Sequence, residues 1–378
     1  MAGAEGDRIR CALMRGGTSR GVFFLKQDLP SPDKRRDEVL LALFGNPDPF
    51  QVNGVGGGTP WTSLVALVSK AEGGVGDVEV SFGRVIPGSL TIDYSTLSAD
   101  LAAAAAQYAI DEKLVKAVST STVVHLVDDA TGRPIRVQVP VKGGRARVDG
   151  KCVVAGVPGS GACIKVTLPD LATDHFKLLP TGRAREGVAT SSGEYVVSVV
   201  NAAAPVVFVN AASLGLVGTE LPAQLESDAE LLDRVEAIRN VVAQTIGLAS
   251  QAEGAKAETL VNPRLVTVFE SVEHTDMSGR FISVMDADLV CREATLGAFH
   301  YAIDAEVAVC TAVAAHIEDS VVFDALLREE APRVVRIAHP AGVISIEVDV
   351  QKGKDGYVAK SASFETTARR IMDGQVLR

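Results

Sequence analysis

Residues 9–29 read Ile9-Arg-Cys-Ala-Leu-Met-Arg-Gly-Gly-Thr-Ser-Arg-Gly-Val-Phe-Phe-Leu-Lys-Gln-Asp-Leu29. An apolar strand runs into a tight turn of small residues, a second apolar strand follows, and Asp28 is placed to cap a helix. The plan returns at 195–214, with Tyr195-Val-Val-Ser-Val-Val200, a small turn Asn201-Ala-Ala-Ala-Pro205, Val206-Val-Phe-Val209 and Ser213-Leu214. The two copies lie about half a chain length apart, the mark of an internal duplication.

Further matches keep the same order. Pro60-Trp-Thr-Ser-Leu-Val-Ala-Leu-Val68 has a weaker counterpart in Pro263-Arg-Leu-Val-Thr-Val-Phe269. Two unusually apolar helices follow, over 98–110 and 304–316. A helix apolar nearly all round must be enclosed on every side. The segments 78–82, 90–94, 123–127, 135–141, 146–148, 334–337 and 343–350 alternate or run apolar at strand length. The expected fold is therefore α+β, with two pseudo-symmetric domains, each a curved, mostly antiparallel sheet wrapped around a central apolar helix. The division is placed at 1–187 and 188–378, with the segment from about 360 to 378 free to return to the first half. Two similar halves packed face to face would put a ligand site in the cleft between them.

Composition excludes several classes of function. The 37 Lys+Arg against 47 Asp+Glu give a net charge of −10 with no basic cluster, so nucleic acid is not expected as a partner. The run 195–219 is apolar but holds Asn201, Pro205 and Asn210 among β-branched residues, so it reads as two buried strands rather than a membrane span. With no apolar signal core at the N-terminus, the chain is expected to be soluble and cytoplasmic. Cys11, Cys152, Cys163, Cys291 and Cys310 are scattered in no metal-binding spacing and mostly read as buried small hydrophobes. No metal-ligand cluster, phosphate loop or dinucleotide fingerprint appears. Gly54-Val-Gly-Gly-Gly58 precedes a strand rather than a helix. No cofactor and no metal are expected.

Met14-Arg-Gly-Gly-Thr-Ser-Arg-Gly-Val-Phe-Phe24 closely resembles the opening motif of the PrpF-like proteins. Similar pieces are Gly56-Gly-Gly-Thr-Pro-Trp-Thr-Ser63, Gly156-Val-Pro-Gly-Ser-Gly-Ala162, Leu179-Pro-Thr-Gly182, Val309-Cys-Thr-Ala312, His339-Pro-Ala-Gly342 and Thr367-Ala-Arg-Arg-Ile371. The resemblance spans nearly the whole chain. It implies the diaminopimelate-epimerase-like fold, with the site between two domains. It also implies an isomerase or tautomerase that moves a proton across an unsaturated di- or tricarboxylic acid, as aconitate isomerases, methylitaconate Δ-isomerases and 4-oxalomesaconate tautomerases do. A small-molecule substrate is the expected partner, and a homodimer is left open.

The chain departs from the family pattern where chemistry is expected. Ser98-Ala99-Asp100 stands in place of Cys-Gly-Asn, Leu64 in place of a Lys, Thr59 in place of an Asn, Glu306-Val307 in place of Thr-Gly, and Ala204 in place of an Asn. A serine hydroxyl is a much weaker base than a thiolate, and Leu64 can neither donate a proton nor pair with a carboxylate. Asp100, Glu306 and Ser98 are the candidate catalytic residues. If both helix N-termini face one cleft, the two carboxylates would converge as base and acid; the simpler alternative is that each caps its helix. Arg15, Gly17, Thr18, Ser19, Thr59, Thr62, Ser63, Leu64 and His300 are the candidate substrate-binding residues, with a hairpin turn needing Gly16 and Gly17 at positive φ as the alternative for the first group. His339-Pro340 reads as a turn, and His125, His175, His274 and His316 as structural or exposed.

Three functions remain open at this stage. The first is a cofactor-independent isomerase or tautomerase of an unsaturated carboxylic or keto compound, working with new acid/base groups. The second is a scaffold recruited to cyclisation, dehydration or a lyase-type step on a less charged substrate, with Leu64, Trp61, Val307 and Tyr108 as an apolar lining. The third is a catalytically silent binding protein.

Overall fold

The computed structural model of the chain describes residues 8–118, 120–171, 177–248, 261–354 and 356–377. His175 lies outside them. The chain divides into two compact units, Met1–Val166 with Glu365–Arg378, and Thr167–Phe364. A cut at 187 would fall inside a strand that pairs within the second unit.

In the first unit the order is β1 (Arg8–Gly16), β2 (Ser19–Leu25), α1 (Asp33–Phe44), β3 (Leu64–Lys70), β4 (Val78–Val85), β5 (Ile92–Asp93), α2 (Ala99–Asp111), β6 (Ser121–Asp128), β7 (Pro134–Lys142), β8 (Arg145–Ala146) and then β9 (Ile164–Pro169), whose residues from Thr167 on fall in the second unit. β1 pairs antiparallel with β2, β2 parallel with β3, β3 antiparallel with β4, β4 parallel with β6, and β6 antiparallel with β7. Asp28 does not cap a helix: it ends a short 3₁₀ turn, and α1 starts after Pro32, whose fixed φ suits a helix entry.

The second unit holds β10 (Glu186–Thr190), β11 (Gly193–Ala202), β12 (Ala204–Asn210), α3 (Pro222–Glu226), α4 (Ala229–Thr245), β13 (Arg264–Glu270), β14 (His274–Thr275), β15 (Phe281–Ile282), β16 (Leu289–Thr295), β17 (Ala298–Phe299), α5 (Ala305–Ala314), α6 (Val321–Asp324), β18 (Val334–His339) and β19 (Gly342–Gly353). β20 (Gly356–Thr366) follows, and β21 (Ala368–Leu377) belongs to the first unit, where it pairs along the whole of β1. Here β11 pairs antiparallel with β12, β12 parallel with β13, β13 antiparallel with β16, β16 parallel with β18, and β18 antiparallel with β19. Strand for strand, this is the pairing order of the first unit.

The apolar runs are continuous rather than alternating because both faces of each sheet are covered. In the first unit Val22 and Phe24 pack with Val39, Leu40, Leu43 and Phe44 of α1. Phe23, which points the other way on the pleat, meets Tyr108 of α2 with ring centroids 5.6 Å apart. In the second unit Val207 and Val209 pack with Leu231, Val235, Ile238 and Val242 of α4. The inner helices are enclosed, as their composition requires. α2 is buried from Ala99 to Ile110 and touches β1, β2, β3, β4, β6, β7, β8 and β21. α5 is buried throughout and touches β11, β12, β18 and β19. Among the described residues no helix is long and apolar enough to cross a membrane.

Candidate active site

The first-unit candidates gather where the β1–β2 hairpin passes over the start of α2. Gly16 pairs with Ser19, leaving Gly17-Thr18 as a two-residue turn, and Gly17 has φ +50°. That is the glycine-favouring first position of a primed hairpin turn. Gly16 does not have positive φ, contrary to the sequence expectation. Its requirement is closeness, since a Cβ there would come 2.3 Å from the Asp100 carbonyl oxygen. A Cβ on Gly17 would lie 1.6 Å from Asp100 Oδ1. The two glycines thus let the turn settle onto the Asp100 carboxylate, which is buried. The Thr18 amide donates to its Oδ1 at 3.4 Å and the Thr18 hydroxyl to its Oδ2 at 3.3 Å. The turn thus gives one backbone donor and one hydroxyl, both from Thr18, to the Asp100 side chain.

Ser98 is the N-cap of α2, its hydroxyl accepting from the Leu101 amide at 3.3 Å. Arg15 is held by carbonyls: its Nη1 donates to Gly17 O and Thr367 O at 2.8 Å each, and Nη2 donates to Thr367 Oγ1 at 2.9 Å. Ser19 is buried beside the turn.

The glycine string 56–58 wraps around one amide side chain. Gln51 Oε1 accepts from Ser63 Oγ at 2.6 Å and from the Gly58 amide at 2.8 Å, and a Cβ on Gly56 would come 2.1 Å from it. Thr59 and Thr62 share a 2.6 Å hydroxyl–hydroxyl bond. Leu64 is buried at the start of β3, opposite Gly21 on β2. The loop candidates are therefore brought together with one another, and Leu64 sits beside them.

In the second unit the plan repeats with different chemistry. Arg264 opens β13 opposite Val206, the place Leu64 holds at the start of β3. Its guanidinium is fully buried and reaches three carboxylates: Nε stands 3.3 Å from Glu293 Oε1, and Nη2 stands 3.2 Å from Asp304 Oδ2 and 3.0 Å from Glu306 Oε1. Asp304 is the N-cap of α5 but makes no side-chain cap bond; it faces Arg264 and His300 instead. Its amide donates to Glu293 Oε2 at 2.8 Å. His300 Nδ1 accepts from the Ala302 amide at 2.8 Å, so in neutral His300 the proton sits on Nε2, 3.3 Å from Asp304 Oδ1.

Three acidic groups around one guanidinium cannot all be charged cheaply in a buried site. Glu293 absorbs the imbalance. Burial first, then the neighbouring Asp304 charge, pushes its carboxyl up to about 7, against smaller opposing effects of His300 and Arg264. His339, also buried, is pushed down to about 3 by burial and the neighbouring His300, and its Nδ1 accepts from the Ala341 amide at 3.3 Å. It is a neutral residue within the β18–β19 turn.

The sequence reading picked out Glu306 and His300 and missed Arg264 and Glu293. The signal was present: a charged residue inside Arg264-Leu-Val-Thr-Val-Phe or Leu289-Val-Cys-Arg-Glu-Ala is forced into a buried strand and needs partners there. The other histidines among the described residues have local partners. His125 lies 3.1 Å from Asp77, His274 faces the Val272 carbonyl and His316 the Ala312 carbonyl.

The sequence profile described as PrpF protein matches residues 7–378. The chain is 36% identical over 371 residues to a 3-methylitaconate isomerase of Eubacterium barkeri, covering 98% of this chain and 97% of that one. It is 33% identical over 373 residues to a 4-oxalomesaconate tautomerase of Pseudomonas putida, covering 98% and 96%. The crystal structure of a methylitaconate-delta-isomerase superposes with TM-score 0.78 at 36% identity, over 99% of this chain and 96% of that one. A hydroxyproline epimerase from Agrobacterium vitis shares the fold alone, with TM-score 0.60 at 11% identity over 100% and 94% of the chains.

Proposed function

The chain belongs to the PrpF family and, like its named relatives, is an isomerase; we propose that it moves a proton, and with it a double bond, within an unsaturated carboxylic or keto compound. The observation that carries this is the 36% identity to a 3-methylitaconate isomerase along essentially the whole chain. Proton abstraction beside a carboxylate or keto group needs a base, an acid that returns the proton elsewhere, and donors for the enolate-like intermediate. In this proposal those tasks fall to residues other than the thiol and amine that the family resemblance implies, and no cofactor takes part.

Asp100 is the proposed base of the first unit. The Thr18 amide and hydroxyl already engage its side chain, which fixes it beneath the hairpin turn. In the second unit the proposed acid/base machinery is the Arg264 cluster. Glu293, raised to about 7, carries an exchangeable proton near neutral pH, and Glu306 stands across Arg264 from it. The remaining fold-level proposal is that the two units are copies of one ancestral half, supported by their matching strand-pairing order.

A second reading is favoured by Leu64. An aliphatic side chain buried at the start of β3, where the resemblance implies a lysine, suits a substrate with one fewer anionic group, and so a cyclisation, dehydration or lyase-type step.

The test is proton NMR in D2O with cis- and trans-aconitate, methylitaconate and 4-oxalomesaconate, using a 3-methylitaconate isomerase as the working control. Deuterium incorporation or isomerisation supports the proposal. Asp100→Asn and Glu306→Gln should then each cut the rate by about 10²–10⁴-fold, the usual worth of a general acid or base. Silence toward the whole panel with an active control overturns the isomerase assignment for these acids and moves the search to less charged molecules.

A further inference from the structure

Two cysteines that the candidate site does not use meet a carboxylate, close to the segment where Cys152 Sγ stands 3.9 Å from the Thr366 carbonyl. Cys152 Sγ, Cys163 Sγ and a Glu365 carboxylate oxygen all lie within 4.8 Å of one another. The sequence spacing, ten residues between the cysteines and the glutamate some two hundred residues on, hides the grouping. We propose that Cys152, Cys163 and Glu365 form a binding site for a thiophilic divalent cation, with Zn(II) the best match.

The backbone holds the three groups in place before any ion arrives. Cys152 and Gly161 exchange both amide bonds, Cys152 N to Gly161 O at 3.0 Å and Gly161 N to Cys152 O at 2.9 Å, which closes the intervening loop. Gly156 and Gly159, with φ +85° and +86°, turn the chain back. Cys163 immediately precedes β9, and Glu365 lies on β20. The two sulfurs of a tetrahedral zinc site stand about 3.8 Å apart, as zinc–sulfur bonds of about 2.3 Å require, so a contraction of at most about 1 Å brings them to that spacing. Rotation about χ1 of the cysteines and the length of the glutamate side chain supply that contraction.

The chemistry also selects a cation. Two sulfurs and one hard oxygen are the donors of a borderline-soft ion, and three protein ligands leave a fourth tetrahedral position to water. A disulfide would satisfy the two sulfurs and leave Glu365 without a role, whereas a cation uses all three groups. Cys152 and Cys163 are half-buried and Glu365 exposed, so an ion has access; Cys11, Cys291 and Cys310 are buried.

The experiment uses the full chain, reduced with a non-thiol reductant and stripped by a chelator. Co(II) is titrated in and read by the thiolate-to-cobalt charge-transfer band; Zn(II) is then added to displace it. The expected result is one equivalent of Co(II) with the band, displacement by Zn(II), and slower reaction of two thiols with a thiol reagent when Zn(II) is present. Cys152→Ser and Cys163→Ser should abolish the band, Glu365→Gln should weaken binding about tenfold or more, and Cys11→Ala should change neither. The thiol-protection measurement needs no variant, so it decides the matter even where a variant misfolds. A folded wild-type chain with no band and no protection overturns the proposal. So does a band that survives both serine variants, or recovery of the pair as a disulfide from a reduced chain that takes up no metal.

Discussion

A methyl group at Gly17 would lie 1.6 Å from Asp100 Oδ1 on a backbone already at φ +50°. Gly17→Ala therefore pays about 1–2 kcal/mol for the left-handed backbone and must also move the carboxylate, so its loss of stability in urea unfolding should exceed 2 kcal/mol, about the upper end of the backbone cost alone. Arg264 is the corresponding pivot of the second unit. Arg264→Met leaves Glu293, Asp304 and Glu306 buried around an apolar side chain and should cost about 3–5 kcal/mol near neutral pH. Glu293 gives the pH test. Its folded-state carboxyl is raised from an ordinary 4.5 to about 7, so the stability it contributes is full below about 4.5 and is lost as pH rises through 7. Buried neutral His339, pushed down to about 3, acts in the opposite sense, contributing stability above its ordinary 6.5 that is lost as pH falls toward 3. The informative quantity is consequently the difference between wild type and Glu293→Gln across pH 4.5–7. That difference should shift steadily in favour of the Gln variant as pH rises; a flat difference would remove Glu293 from the proton inventory.

The two inner helices differ at their N-termini although they occupy the same place in their units. Ser98 caps α2 through its hydroxyl, so Ser98→Ala should cost about 1 kcal/mol and Ser98→Asp should recover it. A fall in turnover larger than that stability loss, with no recovery in Ser98→Asp, would mark a role in the reaction. Asp304 leads α5 without a side-chain cap bond, and its carboxylate serves Arg264 and His300. The body of α2 is set by space. Ala102 to Ala106 have no exposed surface, and strands enclose the helix, so Ala104→Leu should destabilise by about 1–3 kcal/mol in thermal or urea unfolding through overpacking. The nearly unbroken apolar character of these helices and of the strand runs made them legible from residue types alone. The outer helices α1 and α4 were less so, because only one stripe of each faces the sheet.

At the scale of the molecule, the last strand of the chain completes the first unit. β21 pairs with β1 from Arg8–Leu377 to Gly16–Ala368, and Arg370 lies over the Tyr108 ring, 5.2 Å from its centroid, at the end of α2. Deleting residues 368–378 should strip β1 amides of hydrogen-exchange protection while β11, β12 and β13 keep theirs. Retained protection in β1 would show that β21 is dispensable. The same strand places Thr367, which receives the Arg15 guanidinium, so the deletion also loosens the hairpin over Asp100.

Local chemistry reaches as far as the fold plan in this protein. Strand and helix periods, small-residue turns and a repeated order of elements follow from short-range sterics and burial, and they are written in consecutive residues: 9–29, 195–214, 98–110 and 304–316. The family resemblance rests on the same short motifs. What joins residues distant in sequence was decided by tertiary structure, because a buried charge chooses its partner by proximity in space. That the Gly16-Gly17 turn closes on Asp100, that Arg264 gathers Glu293, Asp304 and Glu306, and that Cys152 and Cys163 meet Glu365 are outcomes of strand pairing and of the packing of α2 and α5 against their strands. Each depends on desolvation and contact between elements tens to hundreds of residues apart, which residue spacing does not encode.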